Sequence, residues 1–428
     1  MISAVPSTIA AQRAIRFHWV LDRRRDLIFY IGSALAGWAY VAVILFALAT
    51  LSDPMRDAFA TVSLFGLAIP LTLNLLVMVS WAFILDAPHV WATLGRTLLD
   101  ANEWRTRGGD LRRSFALFLL GPVAILLPYA VAPWLRGAGI TLSPGQLALG
   151  ALLFFVFFRL WAYYHVVRQH WGFFMLYKRK AGDEPLLAQR VDYWFFNLSL
   201  YLPLAMFMTS TWYAKTPGFP NLGLRQPIFG DVSIGTIVFP LAVTLYVAVV
   251  TGYIWWQVHQ WRAGTTLNGS KLAYMALIVP LHLVAFSHPL LAAFIVPLVT
   301  VGHNIQYHCI VYTYARRKYG ESTDRAHRFA RLAFANVWAY AAVGLLFTFV
   351  CYRGPWIGWV ESTLGISLDR AVLNSLAMMA GIQDPSRLGL GEQLFAAVIV
   401  GFALQHYYLD AKIWRVSRDR DVQKHLRV

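Results

Sequence analysis

The sequence predicts an all-α, polytopic integral membrane bundle of about ten transmembrane helices, and three observations carry that prediction. Hydrophobic residues make up 58% of the 428-residue chain and charged residues 14%, with a mean hydropathy of +0.53; soluble domains hold about 45–50% apolar and about 25% charged residues. Uncharged runs recur along the chain, each long enough to cross ~30 Å of hydrocarbon as a helix. Basic residues gather in the short segments between those runs, where they report orientation. A collagen-like chain, a disordered chain and a disulfide scaffold are excluded. The formal charge of +16 needs no nucleic acid to explain it.

Residues 1–12 lack the charged start and apolar centre of a signal peptide, so no cleavage is expected. Arg13, Arg16, Arg23, Arg24 and Arg25 then hold the N-terminus in the cytoplasm. The expected spans are Leu27–Leu51, Val62–Leu85, Ser114–Trp134, Leu147–Tyr177, Val191–Ala214, Ser233–Trp256, Leu272–Phe286, Pro289–Ala315, Phe329–Tyr352 and Glu392–Trp414. Spans one to nine thus fill 26–352 and the last fills 392–414, within one integral membrane domain covering 1–428. Ser287-His288-Pro289 separates the short seventh span from the eighth, since proline opens a helix easily and continues one poorly. Residues 371–382 are apolar but too short to span, and read as an interfacial or re-entrant piece. A basic cytoplasmic tail, 415–428, closes the chain.

Charge counting tests this topology. Of the 37 Lys and Arg, seven fall in outer loops: Arg56, Arg136, Lys215, Arg225, Arg353, Arg370 and Arg387. Arg159 and Arg168 lie within the fourth span, and the other 28 lie on the cytoplasmic side, as the positive-inside rule requires. A bacterial inner membrane is the expected location. Cys309 and Cys351, the only cysteines, sit in apolar stretches and read as buried thiols.

Of twelve histidines, eight lie in or against the spans: His89, His165, His170, His282, His288, His303, His308 and His406. Ionisable groups at membrane depth are costly and mark functional cavities. The topology puts His165, His170, His303, His308 and His406 in the inner half of the bilayer, with His89 at the cytoplasmic end of its span. Imidazole is the commonest protein metal ligand, and bundles build metal sites from facing helices. His282 falls toward the outer side and stays in doubt, and His288 reads as a turn residue.

The fourth and eighth spans resemble each other. His165-Val-Val-Arg-Gln-His170 precedes Lys178-Arg179-Lys180, and His303-Asn-Ile-Gln-Tyr-His308 precedes Arg316-Arg317-Lys318. Residues five apart on an α-helix differ by about 140°, so one ion cannot readily take both histidines of a pair. Either a π-bulge aligns them, or they serve different metals, or one of the two stands behind a ligand instead of binding the ion. Asp86 stands three residues before His89, and Asp410 four after His406. Either carboxylate can ligate a metal or orient an imidazole. The expected metal set is therefore His89, His165, His170, His303, His308, His406, Asp86 and Asp410. Arg159 is placed to meet a buried carboxylate or an anionic substrate group.

A histidine set of this size on the cytosolic side of a helical bundle resembles the integral-membrane non-haem iron oxygenases of the desaturase and hydroxylase group. More loosely, it resembles the bacterial carotene-cleaving membrane oxygenases. The H-x4-H spacing is shared with the first group, whereas their H-x2/3-H-H boxes are absent and no His-His pair occurs. The resemblance implies an oxygen-dependent oxidoreductase with one or two metal ions, iron first, acting on a lipid or isoprenoid-type substrate with electrons from a separate donor. Two alternatives belong to other classes: a haem-binding electron-transfer protein, and a transporter with a His/Asp/Arg proton or ion relay.

Overall fold

In a computed structural model, residues 14–64, 66–182, 185–216, 219, 222–353, 389–415 and 419–427 are described. The expected interfacial piece 371–382 lies outside them. The chain is mostly helical. A π-helical turn, Asp26–Ile31, leads into α1 (Ala34–Thr50). The next expected span, Val62–Leu85, is corrected. Its first part is an antiparallel hairpin of β1 (Ala58–Leu64) and β2 (Leu67–Thr72). Gly66 takes φ +80° at the turn, a conformation that ends a helix, and Pro70 has no N–H to give one. Helix α2 starts only at Leu73 and runs to Leu98, π-helical over Met78–Asp86.

After α2 come α3 (Ala101–Phe115) and α4 (Leu117–Gly137), then α5 (Leu149–Ala181), α6 (Leu186–Thr209), α7 (Ile234–Arg262) and α8 (Gly269–Ala285). His288 caps the short helix Pro289–Ala293, its Nδ1 accepting from Leu290 N at 3.2 Å, so the expected break before Pro289 is present. α9 (Ile295–Tyr319), α10 (Val337–Arg353) and α11 (Leu390–Ile413) complete the bundle. The expected ninth span is bent by 86° between Arg325–Ala333 and Val337–Val350.

Among the described residues, six helices are long and apolar enough to cross a membrane, seven if that bent pair counts as one span. They identify an integral membrane protein. Where helices meet, small residues let backbones close up. A Cβ on Gly121 of α4 would lie 2.5 Å from Phe154 of α5 and 2.7 Å from Ala397 of α11. On α9, a Cβ at Gly302 would lie 2.8 Å from the Ser33 carbonyl oxygen.

The basic end of the bundle is laced by buried ion pairs. Asp192 receives Lys178, Lys271 at 3.0 Å and the Tyr253 hydroxyl at 2.7 Å. Lys318 meets Asp100 at 2.9 Å and Glu103 at 3.6 Å. Arg96 is fully buried between the Tyr314 and Trp414 rings, 4.2 and 4.0 Å from their centroids.

Candidate metal centre

Five helices bring six imidazoles into one row. Successive ring centroids lie 5.7 Å apart from His282 (α8) to His170 (α5), and 5.8 Å apart from His170 to His303 (α9). The row continues to His89 (α2) at 4.9 Å, His406 (α11) at 4.4 Å and His165 (α5) at 5.0 Å. All six are buried. His89 is therefore central rather than at a mouth, because α2 continues to Leu98 instead of ending near Leu85.

Among the described residues, His89, His406 and Asp410 bring one ligand atom each within 4.8 Å of one another. This buried group can hold a metal ion. Hydrogen bonds fix the proton on His406. Asp410 Oδ1 accepts from the Thr93 hydroxyl at 2.7 Å and from the Tyr307 hydroxyl at 2.6 Å. Thr93 Oγ1 lies 2.7 Å from His406 Nδ1. With its own proton given to Asp410, Thr93 accepts, so His406 carries its proton on Nδ1. Nε2 is then a lone pair, and it is buried with no hydrogen-bond partner. An unpartnered buried acceptor costs about 1–3 kcal/mol, and a cation removes that cost. Nitrogen and carboxylate donors without thiolate suit iron, zinc or copper.

Thr93, Tyr307 and Gln169 escaped the sequence reading, although one signal was there. Each of four histidines has a polar side chain four residues on: His89 and Thr93, His165 and Gln169, His303 and Tyr307, His406 and Asp410. Residues at i and i+4 share a helix face. One turn along all four helices, these partners join: Gln169 donates to Asp410 Oδ2 beside the Thr93 and Tyr307 contacts, and Trp414 Nε1 donates to the Tyr307 hydroxyl at 3.1 Å. A layer of imidazoles thus rests on a layer of hydrogen-bonded polar groups.

The H-x4-H pairs diverge as the 140° rotation requires. α5 is α-helical throughout. His165 faces His406, and its ring centroid lies 4.1 Å from that of Tyr407. His170 faces His282, with Nδ1 2.7 Å from the Tyr274 hydroxyl. On α9, His303 Nε2 lies 3.3 Å from His89 Nε2. His308 lies beside the row, its ring centroid 6.3 Å from that of His89, with Nδ1 2.7 Å from the Tyr340 hydroxyl and Nε2 3.1 Å from the Leu85 carbonyl oxygen. That carbonyl only accepts, so His308 keeps its proton on Nε2. Both its nitrogens are engaged by other groups. His282 Nδ1 lies 2.8 Å from the Tyr163 hydroxyl, which donates to the Leu200 carbonyl at 2.6 Å.

His89, His165, His303 and His406 line one cavity of about 80 Å³, whereas His170, His282 and His308 are outside its lining. Asp86 also lines it, held by Asn304 Nδ2 at 3.2 Å rather than by a histidine. The remaining walls include Trp81, Phe158, Leu204, Met208, Phe286, Ile295 and Val299. Arg159 lines it too, its guanidinium 4.9 Å from the Phe219 ring centroid. Such a space takes an apolar molecule and sets it against imidazoles. No protein-family model, no curated protein and no solved structure matches this chain.

Proposed function

We propose that this chain is an oxygen-dependent, non-haem iron oxidoreductase of the bacterial inner membrane, acting on a lipid or isoprenoid-type molecule. The observation that carries the reading is the pairing of two features. Two imidazoles and one carboxylate gather at the His89–His406–Asp410 group, and the same two imidazoles line a mostly apolar cavity. Two histidines with one carboxylate are the donor set of many non-haem iron oxygenases. A bound iron, one ion or two, would supply one-electron and oxygen chemistry that the side chains lack. The chain's own part is to desolvate the substrate between Phe158, Phe286 and Val299, and to hold His406 in one tautomer through Thr93 and Asp410. Electrons come from a separate donor.

In the ten-span topology, α6, α8, α9 and the bent pair join the six apolar helices. Both termini then face the cytoplasm, on the strength of the 28-to-7 distribution of Lys and Arg. The architectural resemblance to membrane desaturases and hydroxylases supports the same reading. Haem fits less well, because His89 and His303 touch at 3.3 Å and leave no slot for a macrocycle between them.

Elemental analysis of protein purified in detergent is the direct test. One or two equivalents of iron per chain, taken up as Fe(II) after chelation, are expected. Protein that is metal-free as purified and refuses Fe(II), Zn(II) and Cu(II) overturns the proposal.

A further inference from the structure

The imidazole-lined cavity has a neighbour. A larger groove of about 1180 Å³ lies between α5 and α11, and its lining includes Trp161, Tyr164, Trp171, Met175 and Leu176 beside Arg168, Arg179, Lys412 and Arg415. Among the described residues, only His165 and Tyr407 line both spaces. Their rings lie against each other at 4.1 Å and 31°. This tilted pair is the partition between a basic groove and a mostly apolar cavity lined by four of the imidazoles.

We propose that the groove binds the anionic head of a single-chain amphiphile whose apolar chain passes the His165–Tyr407 pair into the cavity. Charge complementarity points to the head. Arg168 and Arg415 are exposed, and guanidinium groups recognise carboxylate and phosphate oxygens with paired hydrogen bonds. Arg168 follows His165 by three residues, and Lys412 and Arg415 follow Tyr407 by five and eight. At 1.5 Å per residue these cations stand roughly 5–12 Å along the helices from the partition, beyond it on the side away from Arg159. An apolar chain starting there reaches the imidazoles after a span of about 10 Å. Carboxylates do not cancel the charge. Asp410 lines the groove, but it already accepts from Thr93 and Tyr307 on Oδ1 and from Gln169 on Oδ2.

The wall chemistry fits the same ligand. Trp161, Tyr164 and Trp171 give the groove an aromatic flank that suits the boundary between headgroup and chain. The cavity offers the chain mostly apolar walls, with Arg159 as its one guanidinium, at the far part. A neutral hydrocarbon would use the cavity and leave the groove unexplained. A hydrophilic anion would use the groove and leave the cavity unexplained. The inference deepens the lipid-substrate reading above and rests on it for purpose, yet binding is measurable without metal.

The experiment uses full-length protein in detergent and three probes matched in length: palmitate, hexadecyl phosphate and hexadecanol. Equilibrium binding and the rise in thermal midpoint are read for wild type, Arg168→Gln/Arg415→Gln and Tyr407→Trp. We expect both anions to bind at least about tenfold more tightly than the alcohol, a gap of about 1.4 kcal/mol. Preference for phosphate over carboxylate identifies a phosphorylated isoprenoid or lysolipid, and the reverse identifies a free fatty acid. The double arginine variant should lose the gap while keeping alcohol binding, which reports a folded cavity. Tyr407→Trp, which keeps an aromatic ring but enlarges it at the partition, should weaken all three probes together. Equal affinity for acid and alcohol, or an unchanged gap in the arginine variant, overturns the proposal. Repeating the binding on His406→Ala separates the two readings. Retained anion preference there with no iron in the wild type would sink the enzyme and leave the amphiphile site standing.

Discussion

Helices α7 and α9 have similar lengths, 29 and 25 residues, and opposite characters. α7 passes every test of a membrane-crossing helix, yet only 11% of its most apolar stretch is buried. α9 carries His303, Asn304, Gln306 and His308 in its middle, is buried along most of its length, and is not among the helices apolar enough to pass. The reason is solvent. A helix facing lipid must be apolar all round, whereas a helix enclosed by other helices can carry polar groups if each finds a partner. Hydropathy therefore finds the jacket of such a bundle first and its working core last. α6, which carries Asp192 of the buried ion pairs, also falls short, whereas α8 is apolar and falls short only by its 17-residue length.

The hardest test of that contrast is to remove a core imidazole. His406→Ala should abolish metal binding while the protein stays folded, since interhelical polar contacts in membranes average only about 0.6 kcal/mol. Leu241→Ala on α7, 62% exposed in the structure, should leave metal content untouched. Elemental analysis of both variants decides. Full occupancy in His406→Ala would reduce the row to interhelical hydrogen-bonders.

Packing gives the next largest effect. Leu298 on α9 is fully buried, and its backbone lies so close to α1 that a Cβ on Gly37 would come within 2.6 Å of its carbonyl oxygen. Leu298→Ala should cost about 2–5 kcal/mol. Leu241→Ala should cost less than about 0.5 kcal/mol. Unfolding of both variants in the same detergent measures the pair, and comparable losses would erase the distinction between jacket and core.

The sequence carried a good part of this. Apolar runs and the Ser287–Pro289 break placed most helices, and the 140° separation of i and i+5 foretold that His165 and His170 face different neighbours. The hairpin Ala58–Thr72 was missed because Val62, Ile69 and their apolar neighbours read equally well as a span; only Gly66 and Pro70 argued otherwise. Moving the start of α2 to Leu73 put His89 at the centre, which a hydropathy window could not see. The polar layer was legible as a repeated spacing, but spacing alone does not say which helices face one another. Thr93 is an ordinary residue until His406 and Asp410, more than 300 positions away, are packed against it.

That layer supplies a third test. Thr93→Val keeps shape and removes the hydroxyl between His406 Nδ1 and Asp410. Metal affinity should fall about 10–100-fold, as for other partners that orient a ligand, with Thr93→Ser restoring most of it. Combined with Asp410→Asn, the losses should be strongly non-additive, since both act through one hydrogen-bonded unit. Additive losses would mean that Asp410 meets the metal independently of Thr93.

The smallest expected effect lies at the basic end, where the core helices are tied by charge rather than by imidazole. Asp100 sits in the turn between α2 and α3, where burial would raise its pKa. Lys318 at 2.9 Å, the Asn102 N–H and His327 more than offset that, and its pKa lies below the ordinary carboxylate value. A depressed carboxylate pKa contributes stability above the unfolded value of about 3.9, and the contribution is lost as pH falls through the folded pKa. Wild-type protein should therefore lose this increment only below about pH 4. Asp100→Asn keeps the helix cap that the side chain provides to Asn102 N, so it isolates the charge. It should cost about 1 kcal/mol at pH 7 and flatten the stability profile below pH 4. Thermal unfolding of both proteins across pH 3–7 checks this. Parallel profiles would show that the Lys318 tie holds α9 through packing alone, and that the core helix needs charge no more than the lipid-facing one does.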